Sequence, residues 1–253
     1  MRIGISALLF NIEEALNLCE KIEDIKHIEV GIDNLDECEK LCDYKDRIKE
    51  LDLSLGIHLP MELNTCENVD YIRNSWIKFV GKLYDNLKEI DIKYINLHLG
   101  YVMSNRLKKN RNKYLNISSD FLKVLSDRID TNISIENVYS ENGDFSNVGN
   151  IAYDFEYIFE RVKNSRLWFC YDTGHNLINK DNYIKQLSKK TKVIHLSDND
   201  GINDKHIGIG KGILSKEHIK EVVNLDTNYM VLEINYKDIE DSIKNLDFIM
   251  KEV

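Results

Sequence analysis

Residues 167–175 read LWFCYDTGH, a short apolar and aromatic run that breaks directly into Asp172 and His175. A run of that length and bulk predicts a buried strand, with the polar pair sitting where the strand turns into the next element. The same form recurs in LSLGIH (53–58), YINLHLG (94–100), ISIEN (133–137), VIHLSD (193–198) and YMVLE (229–233). These strand ends carry His58, His98, Glu136, Asp172, His175, His195 and Glu233, and a DKH triplet downstream of VIHLSD adds Asp204 and His206. Five of the seven histidines belong to this set. One architecture gathers the ends of so many successive strands at one point: a parallel barrel with its site on the C-terminal face.

Outward from these runs, strand-type segments at 3–8, 27–32, 53–58, 94–99, 133–138, 167–172, 193–197 and 229–234 alternate with segments of helical period. NIEEALNLCEKIEDI (11–25) and DIEDSIKNLDFIMKEV (238–253) are examples, with apolar residues on one face and Lys and Glu on the other. Such alternation implies parallel strands joined by right-handed crossovers. Eight units predict an α/β fold, a single (β/α)8 TIM barrel with a metal site at its C-terminal face, as one domain over 1–253. The segments 100–113 and 139–150 carry no clear periodicity and follow strands on the active face, so they are expected to be substrate loops. The single proline, Pro60, falls at a strand exit, where a missing N–H costs little.

Bulk properties narrow the function classes. A length of 253 residues suits this barrel, which typically needs about 250. The net charge is −9, so no global basic field favours nucleic acid. No apolar run approaches the roughly 18 residues of a membrane span, and MRIGISALLFNIEEA (1–15) reads as strand one entering helix one, not as a signal peptide. The five cysteines, Cys19, Cys38, Cys42, Cys66 and Cys170, are odd in number and form no CxxC. Reduced thiols and a cytoplasmic location are expected.

Imidazole and carboxylate donors together suit zinc, manganese, cobalt or iron. Asp172 and His175, three apart at a strand-to-helix turn, reach one cavity, and Asp204 and His206, two apart in an extended loop, point to one side. Cys170 reads as a buried core thiol one layer lower. At these residues the chain resembles the xylose-isomerase-like TIM barrels, which include endonuclease IV and sugar isomerases and epimerases. The resemblance covers essentially the whole chain. In that superfamily the shared metal centre takes Glu, Asp, His and Glu from strands five to eight. These match Glu136 in SIEN, Asp172 in DTGH, His195 in IHLSD and Glu233 in VLEIN. The endonuclease IV branch adds five ligands around three zinc ions. By that resemblance His58, His98 and Glu136 would hold one ion. Glu136 would bridge to a second with Asp172, His195 and Glu233, and a third would take His175, Asp204 and His206. One to three divalent ions are thus expected, zinc first.

The surroundings of these ligands resemble the epimerase branch more than the nuclease. HLSDNDGIND (195–204) is shorter than its endonuclease IV counterpart and is similar to the HxSxND run of the sugar epimerases. Strand two ends in IEVGIDNLDE (28–37), acidic where endonuclease IV has a basic, aromatic DNA-contacting loop, and Met61 stands where that branch has a tyrosine, although Asn64 is retained. The resemblance implies a metal-dependent sugar or sugar-phosphate isomerase or epimerase, working through an enediolate with Glu136 and Glu233 as its acid–base pair. Glu29, His175, Lys205 and Lys211 are candidate substrate contacts. The alternative is a trinuclear-zinc hydrolase cleaving phosphodiesters at abasic sites, the one reading in which nucleic acid is a partner. A third is an inactive metal-binding barrel acting as a partner protein. RLKKNRNK (106–113), the one notable basic patch, argues for nucleic acid or a phosphorylated ligand. GIGKG (208–212) lacks the strand-to-helix context of a nucleotide fingerprint and reads as a turn closing the site. His27 and His218 read as structural.

Overall fold

Short apolar runs of this kind need cover on both faces, which parallel strands obtain by closing on each other and laying helices outside. The computed structural model describes residues 1–141 and 143–251. Its barrel strands are Arg2–Leu8, Ile25–Gly31, Ser54–His58, Ile92–His98, Asn132–Glu136, Leu167–Asp172, Thr191–Leu196 and Tyr229–Leu232, each within two residues of its expected bounds. Each pairs in parallel with the next, and the eighth pairs with the first through Arg2 opposite Tyr229 and Ile5 opposite Leu232. The sheet is therefore a closed barrel. Asn142, within the expected loop 139–150, and residues 252–253, at the end of the expected last helix and domain, lie outside the described residues.

Helices Ile12–Lys21, Leu35–Cys42, Asp70–Asn86, Ser104–Arg128, Ala152–Val162, Tyr183–Leu187, Lys216–Val223 and Ile239–Lys251 follow the strands in turn. Their apolar stripes, such as Ile12, Ala15, Leu16 and Cys19 in the first, pack onto the outside of the sheet. Among the described residues, no helix is long and apolar enough to cross a membrane. Inside the barrel, Tyr94, Cys170, Val193, Tyr229 and Val231 form a smaller cluster. Residues two apart on a strand share a face, so this cluster lies one step below Asn96, Asp172, His195 and Glu233. Gly56 leaves room for it: a Cβ there would lie 2.6 Å from the Tyr94 ring.

Two expected loops are more ordered than their sequences indicate. Tyr101–Met103 pairs antiparallel with Phe145–Asn147, making a small ribbon beyond the barrel strands. The basic run 106–113 then lies in the helix Ser104–Arg128, which departs from helical geometry at Asn110 (φ −140°, ψ 38°). Before that break only Leu107 is buried, so no apolar stripe advertises the helix, although Arg, Lys and Leu are good helix formers. Arg111 pairs with buried Asp154 at 2.6 Å, which removes one cation of the run from service to a ligand.

Candidate metal centre

Three of the five imidazoles of the cluster are aimed by what their other ring atom touches. His58 Nδ1 lies 2.8 Å from Leu59 O, His175 Nδ1 2.8 Å from Asn137 O and His206 Nδ1 2.7 Å from Glu233 O. A carbonyl only accepts, so each of these rings donates from Nδ1 and turns Nε2 inward, the arrangement that readies a metal-binding histidine. His206 holds its position at φ +47°, in the left-handed region that is rare for residues other than glycine. Asp172 caps the helix Thr173–Ile178, its Oδ1 accepting from His175 N at 2.6 Å, and this leaves Oδ2 turned to the cluster. Gly174 in that turn has no space for a side chain, since a Cβ would lie 2.3 Å from Ser197 Oγ.

The inward groups meet on Glu136. Its Oε2 lies 3.3 Å from His58 Nε2 and 3.2 Å from His195 Nδ1, and its Oε1 lies 3.5 Å from His98 Nε2. His195 Nδ1 is also 3.3 Å from Glu233 Oε2 and 4.0 Å from Asp172 Oδ2. Ligand atoms of Glu136, Asp172, His195 and Glu233 lie mutually within 4.8 Å, as do those of His58, His98 and Glu136. A looser set joins through Asp204, whose Oδ2 is 3.2 Å from both His175 Nε2 and His206 Nε2. All nine sequence-derived candidates thus form one contiguous cluster, and seven of them line a cavity of about 810 Å³, with Asp172 and His195 buried behind. Cys170 also comes within 4.8 Å of Glu136 and His195 ligand atoms, though burial pushes its thiol well above the ordinary range.

Crowding so much charge sets the groups against one another. Burial opposes charging of His58 and His175, yet Glu136 lifts His58 to about 9, and Asp172, Asp204 and Glu136 raise His175. Asp204 lifts His206 to about 9, while burial holds His98 low. Burial raises Asp172 to about 7, with Glu136 and Glu233 adding to it, whereas His195 overcomes burial to bring Glu233 down to about 2. His98 Nε2, Asp172 Oδ2, Asp204 Oδ1 and both ring nitrogens of His195 are buried without a hydrogen-bond partner. Such orphaned groups are costly. Divalent cations, bound by nitrogen and oxygen donors of this kind, would satisfy them and offset the carboxylate repulsion.

Several supports were not singled out from the sequence. Asn96 donates to Glu136 Oε2 at 2.5 Å, and Asn137 exchanges two bonds with the Asp172 main chain. Asn96 stands two residues before His98 on one strand, and that spacing alone could have identified it. Beneath His195, Glu29 Oε1 lies 3.1 Å from Nε2, and Glu29 Oε2 accepts from Tyr94 Oη at 2.5 Å. Tyr94 Oη also lies 2.9 Å from His27 Nε2. Glu29 is therefore a buried member of the cavity floor. Lys205 and Lys211, the other expected substrate contacts, are ion-paired with Asp200 at 2.6 Å and Asp238 at 2.7 Å, and the cavity lining includes neither. Asn64 ties its loop to the ribbon through Tyr101 O at 2.9 Å. His27 and His218 are both engaged by tyrosine hydroxyls, of Tyr94 and Tyr171.

A family model described as "Xylose isomerase-like TIM barrel" matches residues 32–252. An uncharacterized protein of Methanocaldococcus jannaschii is 28% identical over 270 residues, covering 99% of this chain and 100% of that protein. A protein named "Probable endonuclease 4" from Mycoplasmopsis pulmonis is 27% identical over 201 residues, covering 73% of this chain and 69% of its own. Among solved structures, a "D-tagatose 3-epimerase-like protein" superposes with a TM-score of 0.82 at 19% identity, over 100% of this chain and 98% of the other. That likeness carries the fold alone.

Proposed function

The chain belongs to the xylose isomerase-like TIM-barrel family, and on that premise we propose that it is a divalent-metal-dependent isomerase or epimerase of sugars. The observation that carries this reading is the pair Glu136 and Glu233, whose carboxylates lie 3.2 and 3.3 Å from the same His195 nitrogen. Both are held in the ionised form, Glu136 well below the ordinary range and Glu233 at about 2, by His195 in each case and against the effect of burial. A bound divalent ion supplies Lewis-acid polarisation of adjacent sugar oxygens. Glu233, 23% exposed to the cavity against 1% for Glu136, takes the proton from the carbon next to the carbonyl. Returning it to the neighbouring carbon, while the hydroxyl proton passes to the former carbonyl oxygen, isomerises the sugar. Inverting the carbon would instead need Glu136, ionised at rest, to take a proton from solvent in the cavity and deliver it to the opposite face, Glu233 keeping the proton it removed. His175 stands at the cavity wall, where it either contacts the substrate or holds a further ion with Asp204 and His206.

A second reading, cleavage of phosphodiesters at abasic sites by a trinuclear zinc centre, draws on the complete nine-residue cluster and on the endonuclease 4 relative. The cavity wall argues against it. Glu14, Asp33 and Glu62 line the same cavity outside the metal cluster, and carboxylates at the entrance repel a phosphate backbone. Two assays on one metal-loaded preparation separate the readings. Sugars and sugar phosphates incubated in deuterated water are expected to isomerise or to gain deuterium next to the carbonyl. Metal-dependent incision of an abasic duplex, with no product or deuterium in any sugar, would replace the isomerase with the hydrolase.

A further inference from the structure

Phosphorylated sugars are held in barrels of this kind by loop amides, a helix N-terminus or cations near the last strands. Here the glycine-rich loop in that region is already occupied. Gly210 N and Gly212 N donate to Asp198 Oδ2 at 3.1 and 2.9 Å, and Leu214 N donates to Asp198 Oδ1 at 2.9 Å. Ile209 N donates to Ser242 Oγ at 3.0 Å and Lys211 N to Gly208 O at 3.0 Å. Asp198 is wholly buried, and a Cβ at Gly212 would lie 2.3 Å from its Oδ1. The glycine admits the chain's own carboxylate, in the place a nest of amides would otherwise offer to a bound anion.

The charged side chains agree. Lys205 and Lys211 are committed to Asp200 and Asp238. Among the described residues lining the cavity, Lys237 is the single lysine or arginine, against the acids Glu14, Asp33 and Glu62 in the same lining. All three acids are exposed at the entrance. Burial, followed by the charges of Glu37 and Glu62, raises Asp33 from its ordinary value. Ionised carboxylates accept hydrogen bonds and donate none, so they match sugar hydroxyls and oppose a phosphate dianion.

We propose that the substrate is an uncharged sugar carrying no phosphate, with its outer hydroxyls donating to Glu14, Asp33 and Glu62. The proposal rests on the isomerase reading for the reaction, but its specificity is testable without turnover. Metal-loaded protein is titrated calorimetrically with a set of pentitols and hexitols and with the corresponding monophosphates, alongside the turnover panel. At least one free alditol is expected to bind at least about tenfold more tightly than every phosphorylated one, with the same ranking in kcat/KM of the parent sugars. Equal or tighter binding of a phosphorylated alditol would overturn the proposal. If no sugar of either kind turns over while free alditols still bind more tightly, the isomerase reading fails and the preference for a neutral ligand stands. In the variant Glu14→Gln, Asp33→Asn, Glu62→Gln, which changes only exposed side chains, the preference should shrink by about tenfold or more. An unchanged preference in that folded variant would remove the three acids from the recognition.

Discussion

Glu136 is a member of both the group with His58 and His98 and the group with Asp172, His195 and Glu233, so its removal should cost more than that of any other. Glu136→Ala is expected to lose more than one bound ion by elemental analysis, and full metal retention would contradict the bridging role. Tyr94→Phe tests the support beneath. Tyr94 donates to Glu29, whose other oxygen faces His195, and outer supports of this kind are worth about 10–100-fold in metal affinity. A loss in that range, measured by chelator competition with little change in metal-free stability, is expected. An unchanged affinity would make Tyr94 a packing residue only. His27 reports on pH. Burial lowers it from 6.5 to about 3, so the unfolded chain takes up a proton that the folded chain refuses. Stability from this group is full above pH 6.5 and is lost as the pH falls toward 3, by up to about 1.4 kcal/mol per unit. Urea titrations between pH 7 and 5 should show a shallower decline for His27→Gln than for the parent. Equal slopes would remove His27 as the source.

At the scale of elements, the segment between the seventh strand and the helix Lys216–Val223 carries two ligands on a brace the strands do not provide. Asp198 receives four amides from that segment, those of Asn199, Gly210, Gly212 and Leu214, and forms an antiparallel bridge with Ile207, while Asn199 Nδ2 donates to Gly174 O at 2.8 Å. Thus the HLSDND run works as a clamp between the turn that bears His175 and the loop that bears Asp204 and His206. Hydrogen bonds to a charged acceptor are worth about 1.5–3 kcal/mol each, and orphaning the amide of buried Leu214 adds to that loss. Asp198→Ala should therefore destabilise the protein by about 3–5 kcal/mol in denaturant titrations. It should also lower occupancy of the His175, Asp204 and His206 set before that of the Glu136 and Glu233 set. A change below about 1 kcal/mol would mean the glycine-rich segment is held by something else. The acidic exit of strand two has a comparable local cause: Asn34 and Glu37 form a capping box at the start of the helix Leu35–Cys42.

Across the whole molecule, four cluster carboxylates of a chain with net charge −9 are concentrated in one cavity, so cation binding should stabilise the fold as a unit. An ion at about 100 times its Kd contributes about 2.7 kcal/mol, which for a barrel of this length is about 5–10 °C in Tm. Chelator treatment followed by a thermal scan should show that fall, with recovery on adding zinc or manganese. No shift would speak against metal at this cluster. The sequence by itself determined the strand–helix alternation, the barrel and the row of candidate ligands. These follow from local periodicity: a strand places every second side chain on one face, so a polar residue at the end of an apolar run is visible without any partner. Only the tertiary structure decided which loops are ordered, since the ribbon pairs Tyr101 with Asn147 and the part of the basic run before Asn110 shows no apolar stripe. It alone decided that Lys205 and Lys211 pair with Asp200 and Asp238, that Glu29 sits below His195, and that Asp198 fills the glycine-rich loop. Each of those depends on the charge or hydrogen-bond partner a side chain meets in three dimensions, and no spacing along the chain encodes that choice.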